Sequence, residues 1–444
     1  MKIRKNSIAF CGANWGDEGK GKIVDQITTA KVFFRDNGGS NAGHTIELDN
    51  GEKIKLHHLP SGISKPNSTV ILGKNMVIHP KELVHEIKEA TNFFNGKIAN
   101  IKIDENALLC LDTHRAFEQT LKDRNNGCKG STGRGIGPAY VDQLNRFPLT
   151  MKDLLLWNEE KIKQHYDLYQ AIIKGLDKDI NNIEVCFSDF KEKFKINSRE
   201  DFINDLKTQS NFLKKYIEDI YDFLKTNWID ESITFVFEKA QGVGLDLRWG
   251  VYPDVTTSNT CFDGFKSSTY GIVNPLEIET RVGVDKGTYA SSVGSRKLPT
   301  LMDQKEAEIY RDYGHEYGAT TGRPRDIAHK DLVALRFYIK NGDINSLAMT
   351  HLDSVFPNLP IKICTEYQIN GQKVEYRPDQ DFLNKVTPVY TELPTWDREK
   401  IQQAKHFNDM PKEAQNFVKF VEKEIGIPIN YLTNGPQRSQ IIQL

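Results

Sequence analysis

The 444-residue sequence has no apolar run approaching the eighteen or so residues that cross a bilayer, which excludes a helical membrane span. Its six cysteines (Cys11, Cys110, Cys128, Cys186, Cys261, Cys364) are scattered without a Cys-x-x-Cys pair. That spacing disfavours both a disulfide framework and a zinc site, and leaves buried thiols. Charge of either sign is not in excess: Lys plus Arg number 59 against 60 Asp plus Glu. No global field therefore favours nucleic acid or a membrane surface. The basic start, MKIRKNSIAFCGANWG, carries an apolar run too short for a signal peptide, so the chain is expected to be cytoplasmic. No internal repeat, low-complexity tract or Pro/Gly/Ser linker divides it, and one elaborate domain over 1–444 is expected.

What is present reads as α/β. Short β-branched runs (SIAFC, STVILG, ITFVF, SLAMTHL, IKICTEY) alternate with segments of helical period such as KELVHEIKEATNFF and KDLVALRFYIK. The alternation predicts a large, mostly parallel central sheet with helices on both faces. Residues 151–227 differ, being rich in Lys, Asp, Asn and Phe, with helical spacing through FINDLKTQSNFLKKYIEDIYDFLK. They are predicted as a helical excursion between 1–150 and 228–444, its charges a solvated face.

Chemistry first surfaces in GANWGDEGKGK, Gly12 to Lys22, where a strand should turn into a helix. Amides of a glycine loop at a helix start point at a bound anion, and the helix dipole adds to the attraction. A Walker-type loop would need Gly where Asn14 stands and Ser or Thr where Gly21 stands. The hydroxyl that normally holds magnesium is thus missing, and Asp17 is the nearest oxygen that could replace it. A carboxylate there could also take a proton from an acceptor substrate. The plain alternative is a glycine turn with a surface Asp and Glu. In DNGGSNAGHTI, residues 36 to 46, glycines allow close backbone approach while Asn41, His44 and Thr45 offer donors and acceptors. His44 alone would read as structural; beside a phosphate loop it reads as a proton donor or a stabiliser of transferring charge.

Together these stretches resemble the adenylosuccinate synthetase family. Its GDEGKGK stands at Gly16 to Lys22 and its NAGHT at Asn41 to Thr45. GSTGRGIGPAY (Gly130 to Tyr140), FEKAQG (Phe237 to Gly242), YPDVTTSNT (Tyr252 to Thr260), YGATTGRPR (Tyr317 to Arg325) and TNGPQR (Thr433 to Arg438) follow in the family's order. The resemblance spans essentially the whole chain. It implies a P-loop-NTPase-like fold and a two-step ligation, in which the GTP γ-phosphoryl group moves to the 6-oxygen of IMP and the L-aspartate amine then displaces phosphate.

By the same resemblance Asp17 is the base for ring nitrogen 1, His44 its partner at the 6-oxygen, and Lys20 the cation at the transferring group. One Mg2+ per subunit is held by Asp17 and the Gly43 carbonyl. IMP falls to Asp17, Asn41, Thr132, Gln241, Thr256, Arg323 and the Val293 backbone, with Arg146 reaching the 5′-phosphate from the neighbouring subunit of a homodimer. Aspartate falls to Thr320, Thr321, Gly322, Arg323 and Arg325, whose guanidiniums suit bidentate recognition. GTP falls to Gly16, Glu18, Gly19, Lys20, Gly21, Lys22, Gly43, Thr45, Arg325, His351, Asp353, Thr433, Gly435 and Pro436. On this reading 1–150 carries the phosphate loop and IMP elements, and 228–444 the aspartate loop and guanine site, with no nucleic-acid or membrane partner.

The sequence departs from the family at identifiable places. His351 stands in HLD where KLD is usual, and a histidine is no permanent cation for the guanine 6-oxygen. Thr433 and Asn434 replace Ser-Thr, Pro324 replaces an arginine, Lys239 interrupts EGAQG, and VGSRKLPT follows Ser292 where an arginine is usual. Two alternatives follow. One is a related synthetase joining aspartate to another purine monophosphate such as dGMP, possibly with ATP; the retained Asp17 argues for IMP. The other is a non-catalytic GTP-binding switch, against which stand the balanced charge and the joint retention of Asp17, His44 and the 318–325 loop.

Overall fold

In the first strand, Arg4–Gly12, successive side chains leave on opposite faces of a sheet: Ala9 and Cys11 enter one core, Phe10 the other. Val32–Arg35 and Phe235–Gly242 divide the same way, with Phe34 and Phe237 in the first core and Phe33 and Val236 in the second. A strand buried on both faces needs apolar residues without alternation, as these β-branched and aromatic runs supply. The computed structural model describes residues 2–124, 131–187, 193–292, 296–317 and 324–444.

Among the described residues the main sheet has ten strands, in the order Ile217–Glu218, Asn100–Asp104, Thr69–Leu72, Val32–Arg35, Phe235–Gly242, Arg4–Gly12, Ile278–Lys286, Ser346–Thr350, Ile429–Thr433 and Ile441–Gln443. Neighbours run parallel except the last pair. From the central first strand the chain moves to one side and later returns to build the other. This order puts a topological switch at the carboxyl end of Arg4–Gly12, where open α/β sheets bind ligands. The predicted helices appear as Pro80–Phe93 and Leu332–Asn341.

Two expectations need correction. IKICTEY lies in Ile361–Ile369 of a separate five-stranded sheet, pairing in parallel with Asp326–Asp331 and antiparallel with Gln372–Val374 and Thr387–Leu393. The 151–227 excursion does carry helices, at Met151–Leu155, Glu159–Gly175, Arg199–Leu213 and Tyr221–Ile229. It also contains a hairpin of Glu184–Cys186 with Lys193–Lys195, and its last helical run breaks at Leu213. There Ile217 and Glu218 pair with Ile103 and Asp104 and extend the main sheet. Burying Ile217 while satisfying an open edge outweighs a local helical preference of a few tenths of a kcal/mol per residue.

Candidate active site

Several of the motifs meet because each follows the carboxyl end of a parallel strand. The glycine loop follows Gly12, the 36–46 segment follows Arg35, and His351 and Asn434 follow Thr350 and Thr433. Gln241 closes its own strand. Gly16 has φ 90°, and a β-carbon there would stand 2.6 Å from the Gln241 α-carbon, so loop and strand end share a seam that admits only glycine. Gly21 fills the hydroxyl position of a Walker loop for a packing reason: a β-carbon on it would lie 3.2 Å from that of His44.

The loop's two carboxylates do different work. Glu18 is buried and turns inward, accepting from the amides of Asn14 (3.2 Å) and Gly16 (2.7 Å) and from Lys20 Nζ (3.3 Å). Two amides expected to face a phosphate are thus taken by the loop's own side chain. Lys20 also donates to the Gly16 carbonyl at 3.1 Å. Beneath, Asn14 donates to Asp285 at 2.5 Å, and Asp285 pairs with the buried Lys330.

Asp17 faces a cluster of which only Arg325 lies in a motif. Its Oδ2 accepts from Lys286 (3.1 Å) and Ser291 and lies 3.2 Å from the Arg325 guanidinium; its Oδ1 takes no hydrogen bond from any described residue. Burial pushes the Asp17 carboxyl up, but Lys286 and Arg325 outweigh it and hold the group below the usual carboxylate range. Glu316, just past the helix Gln304–Gly314 and its left-handed cap His315, braces both cations. It accepts from Lys286 at 2.5 Å, from Arg325 at 2.6 Å, and from the Tyr289 hydroxyl.

His44 has a partner of its own. Its Nδ1 stands 2.5 Å from Glu238, which also accepts from the Ser61 amide (2.7 Å) and hydroxyl (2.6 Å). Burial resists ionisation of Glu238, yet His44 and Ser61 bring its pKa down to about 2; burial lowers that of His44 against the pull of Glu238. Lys286, Glu316, Ser291 and Glu238 escaped sequence reasoning. Glu238 alone carried a signal, inside FEKAQG.

The remaining residues sort by place. Asn41 accepts from the Gly39 amide at 3.1 Å, Thr132 and Thr45 are exposed, and Thr256 is half-buried with its amide on the Leu245 carbonyl. The loop with Thr256 meets the Ile136–Leu144 helix where Thr257 approaches Gly137. Arg146, at φ 68°, is exposed just past that helix. Lys239 points away from the site: it pairs with Asp36 at 2.7 Å, both wholly buried. An arginine follows Ser292 at Arg296, buried, donating to the Asp254 carbonyl at 2.7 Å.

On the other side, Asp353 accepts from Tyr313 (2.9 Å) and Gln402 (3.2 Å), both at Oδ2. Lys22 donates to the carbonyls of Gly435 and Gln440, which ties the first helix to the 433–440 turn carrying Pro436. Thr433 accepts from the His351 amide at 3.3 Å. Burial, then Lys286, bring the His351 pKa down to about 4, so its ring is neutral at ordinary pH. Val293, Thr320, Thr321, Gly322 and Arg323 lie outside the described residues.

A family model described as adenylosuccinate synthetase matches residues 9–442. The chain is 35% identical over 442 residues to the adenylosuccinate synthetase of Caldanaerobacter subterraneus subsp. tengcongensis, covering 98% of each. It is 34% identical over 447 residues to that of Salinibacter ruber, covering 97% of this chain and 96% of the other. Among solved structures, fully ligated adenylosuccinate synthetase from Plasmodium falciparum matches with TM-score 0.87 at 29% identity, over 99% of this chain and 100% of that one. A cyanophage S-2L succinoaminodeoxyadenylate synthetase, bound to dGMP and dATP as an energy donor, matches with TM-score 0.58 at 15% identity, over 100% of this chain and 96% of that one. The last is a likeness of fold alone.

Proposed function

The chain belongs to the adenylosuccinate synthetase family of purine-biosynthetic ligases, and on that premise we propose that this site joins IMP to L-aspartate with GTP as phosphoryl donor. Asp17 takes the proton from ring nitrogen 1, so that the 6-oxygen attacks the γ-phosphorus. The flanking Lys286 and Arg325 support this role by keeping the carboxylate ionised, and Oδ1 takes no hydrogen bond from any described residue. Glu238 engages His44 Nδ1, which leaves Nε2 for the 6-oxygen and transferring phosphoryl group. An ionised Glu238 favours imidazolium as negative charge builds there. Lys20 adds a fixed cation at the loop.

Magnesium suits these residues, because the Asp17 carboxylate is held ionised and the Gly43 carbonyl belongs to an exposed residue, two hard-oxygen donors. One Mg2+ per subunit, when bound, would neutralise charge on the phosphate oxygens. Asn41, Thr132, Thr256, Arg323 and the Val293 backbone hold the rest of IMP. Thr320, Thr321, Gly322, Arg323 and Arg325 take the aspartate carboxylates. Asp353 reads guanine, supported by an Oδ1 that neither Tyr313 nor Gln402 occupies. Arg146 serves the neighbouring subunit's IMP in a homodimer; Val141, Leu144 and Phe147 around it are 49%, 81% and 41% exposed, an apolar surface that a second copy would cover. A cytoplasmic setting suits the free thiols.

The observation that carries the reading is the seam at Gly16, where the phosphate loop packs on Gln241, whose buried Nε2 has no partner among the described residues. It brings a phosphoryl-holding loop and an amide that reads a purine 6-oxygen side by side. The test is a matrix of GTP and ATP against IMP and dGMP, with aspartate and magnesium, followed by absorbance of the product. IMP with GTP is expected to be fastest. Turnover of dGMP alone would overturn the assignment, and equal rates with ATP would trace the loss of donor choice to His351.

A further inference from the structure

The Gln241 amide is the last link of a hydrogen-bond chain whose direction the main chain dictates. Asn37 and Ala240 continue, past the strand ends, the pairing that couples Arg35 to Glu238 and then Asp36 to Lys239. The Ala240 amide donates to Asn37 Oδ1 at 2.8 Å, and Asn37 Nδ2 donates to the Ala240 carbonyl at 3.2 Å. A backbone N–H and C=O cannot exchange roles, so the Asn37 amide can stand only one way round. Its Nδ2 also donates to Ser258 Oγ at 3.1 Å. The Ser258 hydroxyl must then spend its single proton elsewhere, and it donates to Gln241 Oε1 at 3.3 Å. With Oε1 engaged, the group left over is Gln241 Nε2, buried and unpartnered among the described residues. Gln241 itself sits at φ 59°, a left-handed backbone unusual for a residue with a side chain and typical of a position held by its surroundings.

We propose that Asn37 and Ser258 are positioning residues that fix the Gln241 amide with its N–H outward, so that the site accepts purine monophosphates bearing a 6-oxygen and disfavours those bearing a 6-amino group. This rests on the reading of Gln241 as the group opposite the purine 6-position. A 6-oxygen accepts from Nε2, whereas an amino group would set donor against donor and leave both buried without partners. Selectivity between the two bases would then originate in the main chain of Ala240, with the side chains of Asn37, Ser258 and Gln241 between it and the ligand.

The test compares affinities for IMP and its 6-amino analogue AMP in the full-length enzyme, by calorimetry and as KM against inhibition constant. In Ser258→Ala the Gln241 amide is free to turn, and the IMP-over-AMP preference should fall roughly fivefold to thirtyfold, mainly through KM rather than kcat. In Asn37→Asp the donor to Ser258 becomes an acceptor, which reverses the chain and should lower the preference further. Should that buried change unfold the protein, Ser258→Ala and Ser258→Thr decide the matter alone, because Ser258→Thr keeps the hydroxyl and should restore the preference. Equal weakening of IMP and AMP in Ser258→Ala would make Ser258 a packing residue and overturn the proposal. Gln241→Met separates the two layers: a preference unchanged in that variant would bring down the reading of Gln241 itself, whereas a preference lost there but kept in Ser258→Ala would bring down only the relay.

Discussion

The two halves of the sheet's carboxyl edge that are proposed to hold the purine monophosphate and the guanine nucleotide are built differently. On the purine-monophosphate half, buried polar side chains are locked in place and leave specific atoms open: Asp17 Oδ1 beside Lys286 and Arg325, and Gln241 Nε2 beyond Ser258. On the guanine half, the polar groups are largely spent on the protein. Lys22 is on main-chain carbonyls, Asp353 has one oxygen taken by Tyr313 and Gln402, and His351 is neutral. The contrast teaches that the half proposed to perform chemistry keeps its charges and surrounds them with counter-charges, while His351 and Thr433 supply the other half with no permanent cation of their own. Lys239, a departure on the chemical half, shows the same logic, being neutralised by Asp36.

The comparison can be broken most severely at Glu238. Glu238→Gln should lower kcat about a hundredfold by removing the negative partner of His44, with GTP affinity unchanged by calorimetry. The same residue predicts an acid limit. Its carboxyl falls from an ordinary 4.5 to about 2 in the fold, so its stabilisation is complete above about pH 4.5 and is lost as pH drops toward 2. Chemical denaturation from pH 6 to 3 should show this loss, and Glu238→Gln should flatten it. The guanidinium proposed to hold the 5′-phosphate comes next: Arg146→Ala should raise the KM for IMP about thirtyfold. Mixing it with an Asp17→Asn variant should restore part of the activity if the arginine serves the opposite subunit. The guanine half gives the smallest effect. His351→Lys should shift preference toward GTP over ATP by about tenfold. In the unaltered protein that preference should stay flat from pH 6 to 8, because a ring with pKa about 4 carries no charge in that window.

Much of the purine half was legible in the sequence because its residues lie in contiguous glycine motifs, where residue type and spacing carry the meaning. Asp17, His44 and Gln241 all sit in such runs. Lys286 and Glu316 were not legible: each is an isolated charge, brought to Asp17 only because parallel strands end at one edge and the Gln304–Gly314 helix stops at His315. Glu18 was expected at the GTP phosphates, and its inward turn onto the Asn14 and Gly16 amides was not readable from residue type. The parallel core followed from short β-branched runs that alternate with segments of helical period. The 184–195 hairpin and the edge strand at Ile217 did not, since two or three residues make no readable period and pairing with Ile103 decides their form.

The central claim, that Asp17 removes the ring proton so that the 6-oxygen can take phosphorus, is tested most directly by positional isotope exchange in GTP labelled at the β,γ-bridge oxygen. The measurement uses IMP and magnesium without aspartate. The unaltered enzyme should scramble the label, and Asp17→Asn should abolish scrambling while binding IMP and GTP within about threefold of normal. Undiminished scrambling in Asp17→Asn would contradict the account.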